Sequence, residues 1–96
     1  LDVAVKEAEQ ERYLEMLAAT LPRAIADFAP DCILLVDGSD AYEKDVLPGT
    51  KFIKLPLPVM QERSRFLSDL FFKHSLPVSL VFAGGYGPDV WEAHYA

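Results

Sequence analysis

Two continuous apolar runs of strand length stand out in the pattern of apolar and polar positions along the chain. They are CILLV at residues 32–36 and VSLVFA at residues 78–83. Each run ends abruptly in glycine and polar residues, which is typical of a strand buried on both faces of a parallel sheet. We therefore predict two strands, each followed by a loop that leaves its carboxyl end at the same edge of the sheet.

Helical periodicity flanks both runs. Apolar residues recur at steps of three and four over residues 3–28 and again over residues 56–75. Pro22 lies inside the first pattern and has no backbone donor, so we expect the helix to kink or restart there with Thr20 as a cap. The second pattern predicts a crossover helix between the strands.

A strand, a crossover helix and a second strand form one right-handed βαβ unit in which the strands are parallel. Within this unit, Pro48 and Gly49 predict a turn, and residues 50–55 predict an extended loop. A short last helix is expected to carry Trp91 and Tyr95. The order of helix, strand, helix, strand, helix indicates an α/β fold.

The composition is that of a piece cut from a larger core. The chain has 96 residues, which is one domain at most, and 51% of them are apolar. It begins with Leu1 rather than methionine, so we expect further sequence upstream. The 96 residues are therefore interpreted as part of a single larger domain.

The net charge and the cysteine content indicate which classes of partner and which cellular compartment to expect. The net charge is −6 with only nine scattered Lys and Arg residues, which argues against nucleic-acid binding. The single cysteine, Cys32, is expected to be a small buried hydrophobic residue, and one cysteine favours a reducing, cytoplasmic compartment. No stretch approaches the roughly 18 uninterrupted apolar residues of a membrane span.

Acidic side chains cluster after the first run, at Asp37, Asp40, Glu43 and Asp45. On the pattern alone, a solvated polar loop is the simpler interpretation. Several of these oxygens could bind a hard cation, although their spacing does not match a calcium-binding loop. A zinc site needs about three protein ligands and an open position.

The nitrogen and sulfur donors for such a site are few. The chain offers His74, His94 and Cys32, and both histidines are interpreted first as ordinary residues of a helix.

The second run ends in Gly84-Gly85-Tyr86-Gly87. Backbone amides in such a turn can bind phosphate, but no P-loop lysine follows. The paired glycines more simply allow the backbone to pass close to another element. Tyr86 then either packs or directs its hydroxyl into a cleft.

These stretches carry a family resemblance. Gly38-Ser39-Asp40 with Asp45 after the first run, and Gly84-Gly85-Tyr86 after the second, resemble the closing portion of the zinc-dependent histone deacetylase and acetylpolyamine amidohydrolase family. The resemblance implies a three-layer α/β/α fold with a parallel sheet, of which residues 1–96 form the carboxyl-terminal part of one catalytic domain.

The resemblance also implies roles for individual residues. Asp40 would be a zinc ligand, Tyr86 would hydrogen-bond the scissile amide carbonyl, and Gly84 and Gly85 would line the substrate site. Substrates would be acetylated lysine or acetylpolyamine amides. Ala83 departs from the family, whose members often have a third glycine there.

The other family motifs have no counterpart in this chain. An Asp-x-His motif supplies the remaining metal ligands in the family, and a His-His pair shuttles protons. The isolated chain is therefore expected to be inactive, and to form homo-oligomers or associate with the missing part of the domain. The alternative hypothesis is a stand-alone α/β interaction module that self-associates through exposed sheet edges.

Overall fold

Two parallel strands lie at the centre of the molecule. The structure is a computed structural model that describes residues 5–46 and 53–95. Strand β1 covers Ile33–Gly38 and strand β2 covers Val78–Ala83, and the register pairs Ile33 with Val78 and Gly38 with Ala83. The predicted parallel pair is therefore confirmed, with β1 shifted toward its carboxyl end relative to the prediction.

Helices flank the pair. A 3-10 helix at Glu7–Arg12 leads directly into helix α1 at Tyr13–Phe28. The crossover helix α2 covers Leu57–Lys73, and helix α3 covers Trp91–Tyr95. The first residues of the predicted amino-terminal helix, and the turn at Pro48 and Gly49, lie outside the described residues.

Helix α1 continues through Pro22, so the predicted restart is wrong. The Thr20 hydroxyl does not cap a second helix; it donates a hydrogen bond to the Met16 carbonyl at 2.8 Å, one turn earlier. The apolar stripe around Ile25 packs against α2 and β1, and this burial along one face keeps the helix continuous despite the donor lost at proline.

Two apolar clusters hold these elements together. The first joins α1 and α2 to the inner face of β1, and its buried members are Ile25, Leu67, Leu70 and Phe71. The second lies beneath the carboxyl ends of the strands, and its buried members are Tyr42, Leu55, Met60 and Ala93. The second cluster therefore supports the loops that leave the sheet.

The outer face of the sheet is uncovered by the described residues. Leu34 is 68% exposed and Val36 is 62% exposed, and the register places Val81 beside Val36 on the same face. Burial of both strand faces was predicted, but the inner face of β1 is only partly buried, and residues 78–82 of β2 are exposed on both faces. Cys32 is likewise exposed, contrary to prediction, because it lies just before β1, outside both clusters. Within the described residues, no helix is long and apolar enough to cross a membrane.

Candidate functional site

Two loops meet at the carboxyl edge of the sheet. The first loop, residues 39–46, follows β1, and the second loop, residues 84–90, follows β2. Because the strands are parallel and in register, both loops emerge at the same edge, which is where open α/β sheets bind ligands. Asp40 and Tyr86 therefore lie at the same edge, as predicted.

The first loop consists of two successive turns centred on Tyr42. The Tyr42 amide donates to the Ser39 carbonyl at 3.0 Å, and the Asp45 amide donates to the Tyr42 carbonyl at 2.9 Å. Leu55 exchanges backbone hydrogen bonds of 2.8 and 2.9 Å with the residues on either side of Tyr42. With its backbone groups paired in this way, the first loop has a defined shape.

The two loops are joined at Tyr86. Its backbone amide donates to Asp45 Oδ2 at 2.7 Å, and its carbonyl accepts a hydrogen bond from the Val46 amide at 2.8 Å. Asp45 is almost fully buried, whereas the Tyr86 residue is 51% exposed. The backbone of Tyr86 is therefore fixed, while about half of the residue is open to solvent.

Glycine at two positions allows this close approach. Gly85 has φ of +105°, and a Cβ there would collide with the hydroxyl of Ser39. Gly84 has φ of +70°, and a Cβ there would contact the Asp40 carboxylate carbon at 3.6 Å. The prediction that these glycines let the backbone pass close to another element is confirmed. Ala83 ends β2 in regular pairing with β1 and needs no glycine conformation.

The four acidic residues that follow the first apolar run lie in different environments. Asp40 and Asp45 both lie at the loop edge, with the Asp40 carboxylate beside Gly84 and half-buried. Asp37 instead faces inward, toward α2, and Glu43 is exposed to solvent. Two of the four carboxylates are therefore placed at the edge beside the second loop.

A buried ion pair lies directly beneath the first loop. Arg63 on α2 is 8% exposed, and its Nη2 donates to Asp37 Oδ1 at 2.6 Å and to the Gly38 carbonyl at 3.1 Å. His94 lies on the other side, with Nδ1 at 3.9 Å from Asp37 Oδ2 and its ring against Phe82. Arg63 thus fixes the end of β1 from which the first loop starts.

This pair was not identified from the sequence. Its only sequence signal is that Arg63 falls on the apolar face of the predicted crossover helix, because a buried arginine requires a partner.

A second polar contact joins the first loop to α3. The Tyr42 hydroxyl donates to Glu92 Oε2 at 2.6 Å, and Lys44 Nζ donates to the same oxygen at 3.0 Å. The hydrogen bond to Glu92, together with burial, raises the pKa of Tyr42. Hydrogen bonds from Tyr42 and Lys44 lower the pKa of Glu92, which keeps that carboxylate ionised. This contact was also missed, because no sequence pattern links residues so far apart.

Ser39 stands apart from these contacts. Its side chain is fully buried, and within the described part of the chain its hydroxyl has no hydrogen-bond partner.

The described residues at the edge do not by themselves form a metal site. Residues 5–46 and 53–95 contain no group of three or more His, Cys, Asp and Glu side chains that could hold a metal ion. His74 lies exposed at the carboxyl end of α2, and His94 contacts Phe82. A carboxylate from Asp40 or Asp45 fits the donor chemistry of zinc, but zinc takes about three protein ligands.

Comparison with known proteins gives one match. The family model of the histone deacetylase domain matches residues 2–96. The same comparisons find no match among curated proteins or solved structures.

Proposed function

Because the chain belongs to the histone deacetylase domain family, we propose that it supplies the carboxyl-terminal part of the active site of a zinc-dependent amidohydrolase. The proposed substrate is an acetylated lysine or acetylated polyamine. Hydrolysis adds water across the amide bond and releases acetate and the free amine. The observation that carries this proposal is the meeting of the Asp40 loop and the Tyr86 loop at one edge of the sheet, where the bond from the Tyr86 amide to Asp45 joins them.

Zinc is the metal we propose for the complete site. When bound in such a site, it lowers the pKa of a water ligand and polarises a carbonyl group. The loop edge of this chain would supply one carboxylate ligand. We expect the chain alone to be inactive, because zinc takes about three protein ligands and the described residues hold no such group.

Asp40 is the proposed ligand, as the family resemblance implies. Its carboxylate is half-buried beside Gly84, at the start of the loop that carries Tyr86. Asp45 is almost fully buried, and its Oδ2 already accepts the hydrogen bond from the Tyr86 amide. The role proposed for Asp45 is therefore to hold the second loop against the first.

Tyr86 is the proposed donor to the oxyanion that forms when water attacks the amide. Its backbone is held by hydrogen bonds on both its amide and its carbonyl. The Cα atom that carries the ring is therefore fixed in position. The residue is 51% exposed, which leaves room for a substrate to reach its side chain at the loop edge. A donor fixed before the reaction stabilises the transition state without having to reorganise.

The experiment compares three substitutions in the full-length protein that carries this chain. Tyr86→Phe should retain zinc and lower kcat by roughly 100-fold or more, because it removes only the oxyanion donor. Asp40→Asn should lose zinc and activity together. Asp45→Asn should keep zinc and lower kcat, because it weakens the bond that holds the Tyr86 backbone.

Matched controls come from exposed positions in the same chain. Tyr95→Phe on α3 and Asp69→Asn on α2 should leave zinc content and kcat unchanged, because both side chains are exposed to solvent. Retained zinc in Asp40→Asn, together with an unchanged kcat in Tyr86→Phe, would refute the proposed function.

A second candidate function is a stand-alone interaction module. The exposed outer sheet face around Leu34 and Val36 favours it, because an uncovered apolar strand face invites pairing with another chain. This alternative predicts that the Asp40 and Tyr86 variants change neither zinc content nor hydrolysis. It also predicts concentration-dependent self-association in sedimentation measurements.

A further inference from the structure

The contact between Tyr42, Lys44 and Glu92 holds the two loops together away from the proposed reacting groups. We propose that Glu92 is a positioning residue that fixes the first loop against the second through the Tyr42 hydroxyl. This role rests on the proposed function, since it concerns the alignment of Asp45 with Tyr86. It is assigned by geometry alone: Glu92 belongs to α3, and Tyr42 lies at the centre of the first loop.

Tyr42 controls the shape of the first loop. Its amide closes the turn that contains Asp40, and its carbonyl closes the turn that leads to Asp45. The residue is only 1% exposed and packs in the cluster beneath the loops. A shift of the Tyr42 ring therefore moves both turns, and with them both edge carboxylates.

Glu92 is anchored to the other loop. Its backbone amide donates to the Asp89 carbonyl at 3.1 Å, so α3 starts directly from the second loop. The bond from Tyr42 to Glu92 thus connects the centre of the first loop to the end of the second. It is separate from the bond between Tyr86 and Asp45, and the two together fix the loops at two points.

Lys44 supports the acceptor in this contact. Its ammonium donates to the same carboxylate oxygen that accepts the Tyr42 hydroxyl, at 3.0 Å. An ionised acceptor makes a shorter and stronger hydrogen bond than a neutral one, consistent with the 2.6 Å distance from Tyr42. Hydrogen bonds from Tyr42 and Lys44 lower the pKa of Glu92, which agrees with this arrangement.

The test uses three variants of the full-length protein. Tyr42→Phe removes the hydroxyl, Glu92→Ala removes the acceptor, and Glu92→Gln keeps an acceptor oxygen without the charge. We expect kcat to fall by about 10-fold in the first two, because a displacement of about 1 Å can cost 100-fold. Glu92→Gln should stay within about threefold of the unsubstituted protein, and zinc content and KM should not change in any variant.

Hydrogen exchange supplies a readout that does not depend on activity. The amides of Tyr86 and Val46 form the junction between the loops, so Glu92→Ala and Tyr42→Phe should each accelerate their exchange by about 10-fold. Glu62→Ala is the matched control. Glu62 also forms an ion pair, in which Arg65 Nη1 lies 2.9 Å from Glu62 Oε2, but on an exposed face of α2. It should alter neither exchange nor kcat.

The outcomes separate the two proposals. Unchanged exchange at the junction, or accelerated exchange with an unchanged kcat, would overturn the positioning role and leave the proposed function intact. Absence of zinc-dependent hydrolysis in the unsubstituted protein would overturn the proposed function and, with it, the catalytic role of Glu92. A combined Tyr42→Phe and Glu92→Ala variant should lose no more kcat than either single variant, since both remove the same contact.

Discussion

The loop edge and the outer face of the sheet differ in how far the described residues bury and pair their groups. At the edge, Tyr42 and Met60 are almost fully buried, and hydrogen bonds join the two loops; the buried Ser39 hydroxyl is the exception and has no partner among the described residues. On the outer face, Leu34 and Val36 remain largely exposed. The shape of the edge is therefore largely fixed by contacts between described residues, whereas the apolar outer face of the sheet is left exposed by them.

The contrast also indicates where a substitution should change the free energy of unfolding most. Buried polar contacts at the edge have no solvent to replace them, so breaking one leaves an unpaired group. Substitutions on the outer face change surface that is already in water, and they should act on association instead. Four substitution experiments test this difference, in decreasing order of expected effect.

The largest effect is expected at the ion pair beneath the first loop. Arg63→Met leaves the Asp37 carboxylate buried without its cation and should lower the free energy of unfolding by about 3–5 kcal/mol. Adding Asp37→Leu should restore much of this loss, because an apolar replacement of a buried pair is often neutral. Urea denaturation of the full-length protein measures both effects.

An exposed ion pair serves as the control for this measurement. Arg65→Met removes a contact with Glu62 on the solvent side of α2 and should cost less than about 1 kcal/mol. Equal losses in the Arg63 and Arg65 variants would contradict the distinction between the edge and the surface.

The next effect is expected at Gly85. Gly85→Ala places a side chain at φ of +105° and against the Ser39 hydroxyl, so we expect a loss of about 2–3 kcal/mol. Adding Ser39→Gly should remove the collision while leaving the conformational strain, and should recover part of the loss. Equal stability of the single and double variants would show that the contact with Ser39 has no energetic role.

The fold was predictable because its signals are local. The two apolar runs and the helical period between them determine a parallel pair, and the glycines after β2 predict a close approach. Pro22 was misread because the helix break expected from one residue was outweighed by packing along the whole of α1. Cys32 was misread because a continuous apolar run does not show which face the rest of the molecule covers.

The site was predictable only in part, for a related reason. Asp40, Asp45 and Tyr86 follow strands, so topology alone places them at one edge. The contacts of Arg63 with Asp37 and of Tyr42 with Glu92 join distant parts of the chain. Such pairs depend on the relative rotation of helices and loops, which periodicity does not specify.

On the outer face, the expected effect is on association rather than folding. We predict that the 96-residue chain self-associates, because the exposed side chains of Leu34 and Val36 leave an apolar strand face uncovered. Leu34→Lys should shift it toward monomer in sedimentation velocity, with a change in stability within about 0.5 kcal/mol. Ala19→Lys, on an exposed position of α1, is the matched control and should not alter the distribution. An unchanged distribution in Leu34→Lys would exclude this face as the contact.

The smallest effect, and the sharpest test of the edge, is expected on removal of the Ser39 hydroxyl. Its hydroxyl is fully buried, and the described residues offer it no hydrogen-bond partner, an arrangement that costs about 1–3 kcal/mol of desolvation. Ser39→Ala should therefore leave the protein equally stable or stabilise it by up to about 1 kcal/mol, with kcat within twofold. Ser39→Val should instead destabilise it by about 1–3 kcal/mol, because the larger side chain presses against Gly85. A loss of stability in Ser39→Ala would mean that the hydroxyl has a partner after all, such as a buried water bridging the two loops, and that polar pairing at the edge extends to this residue.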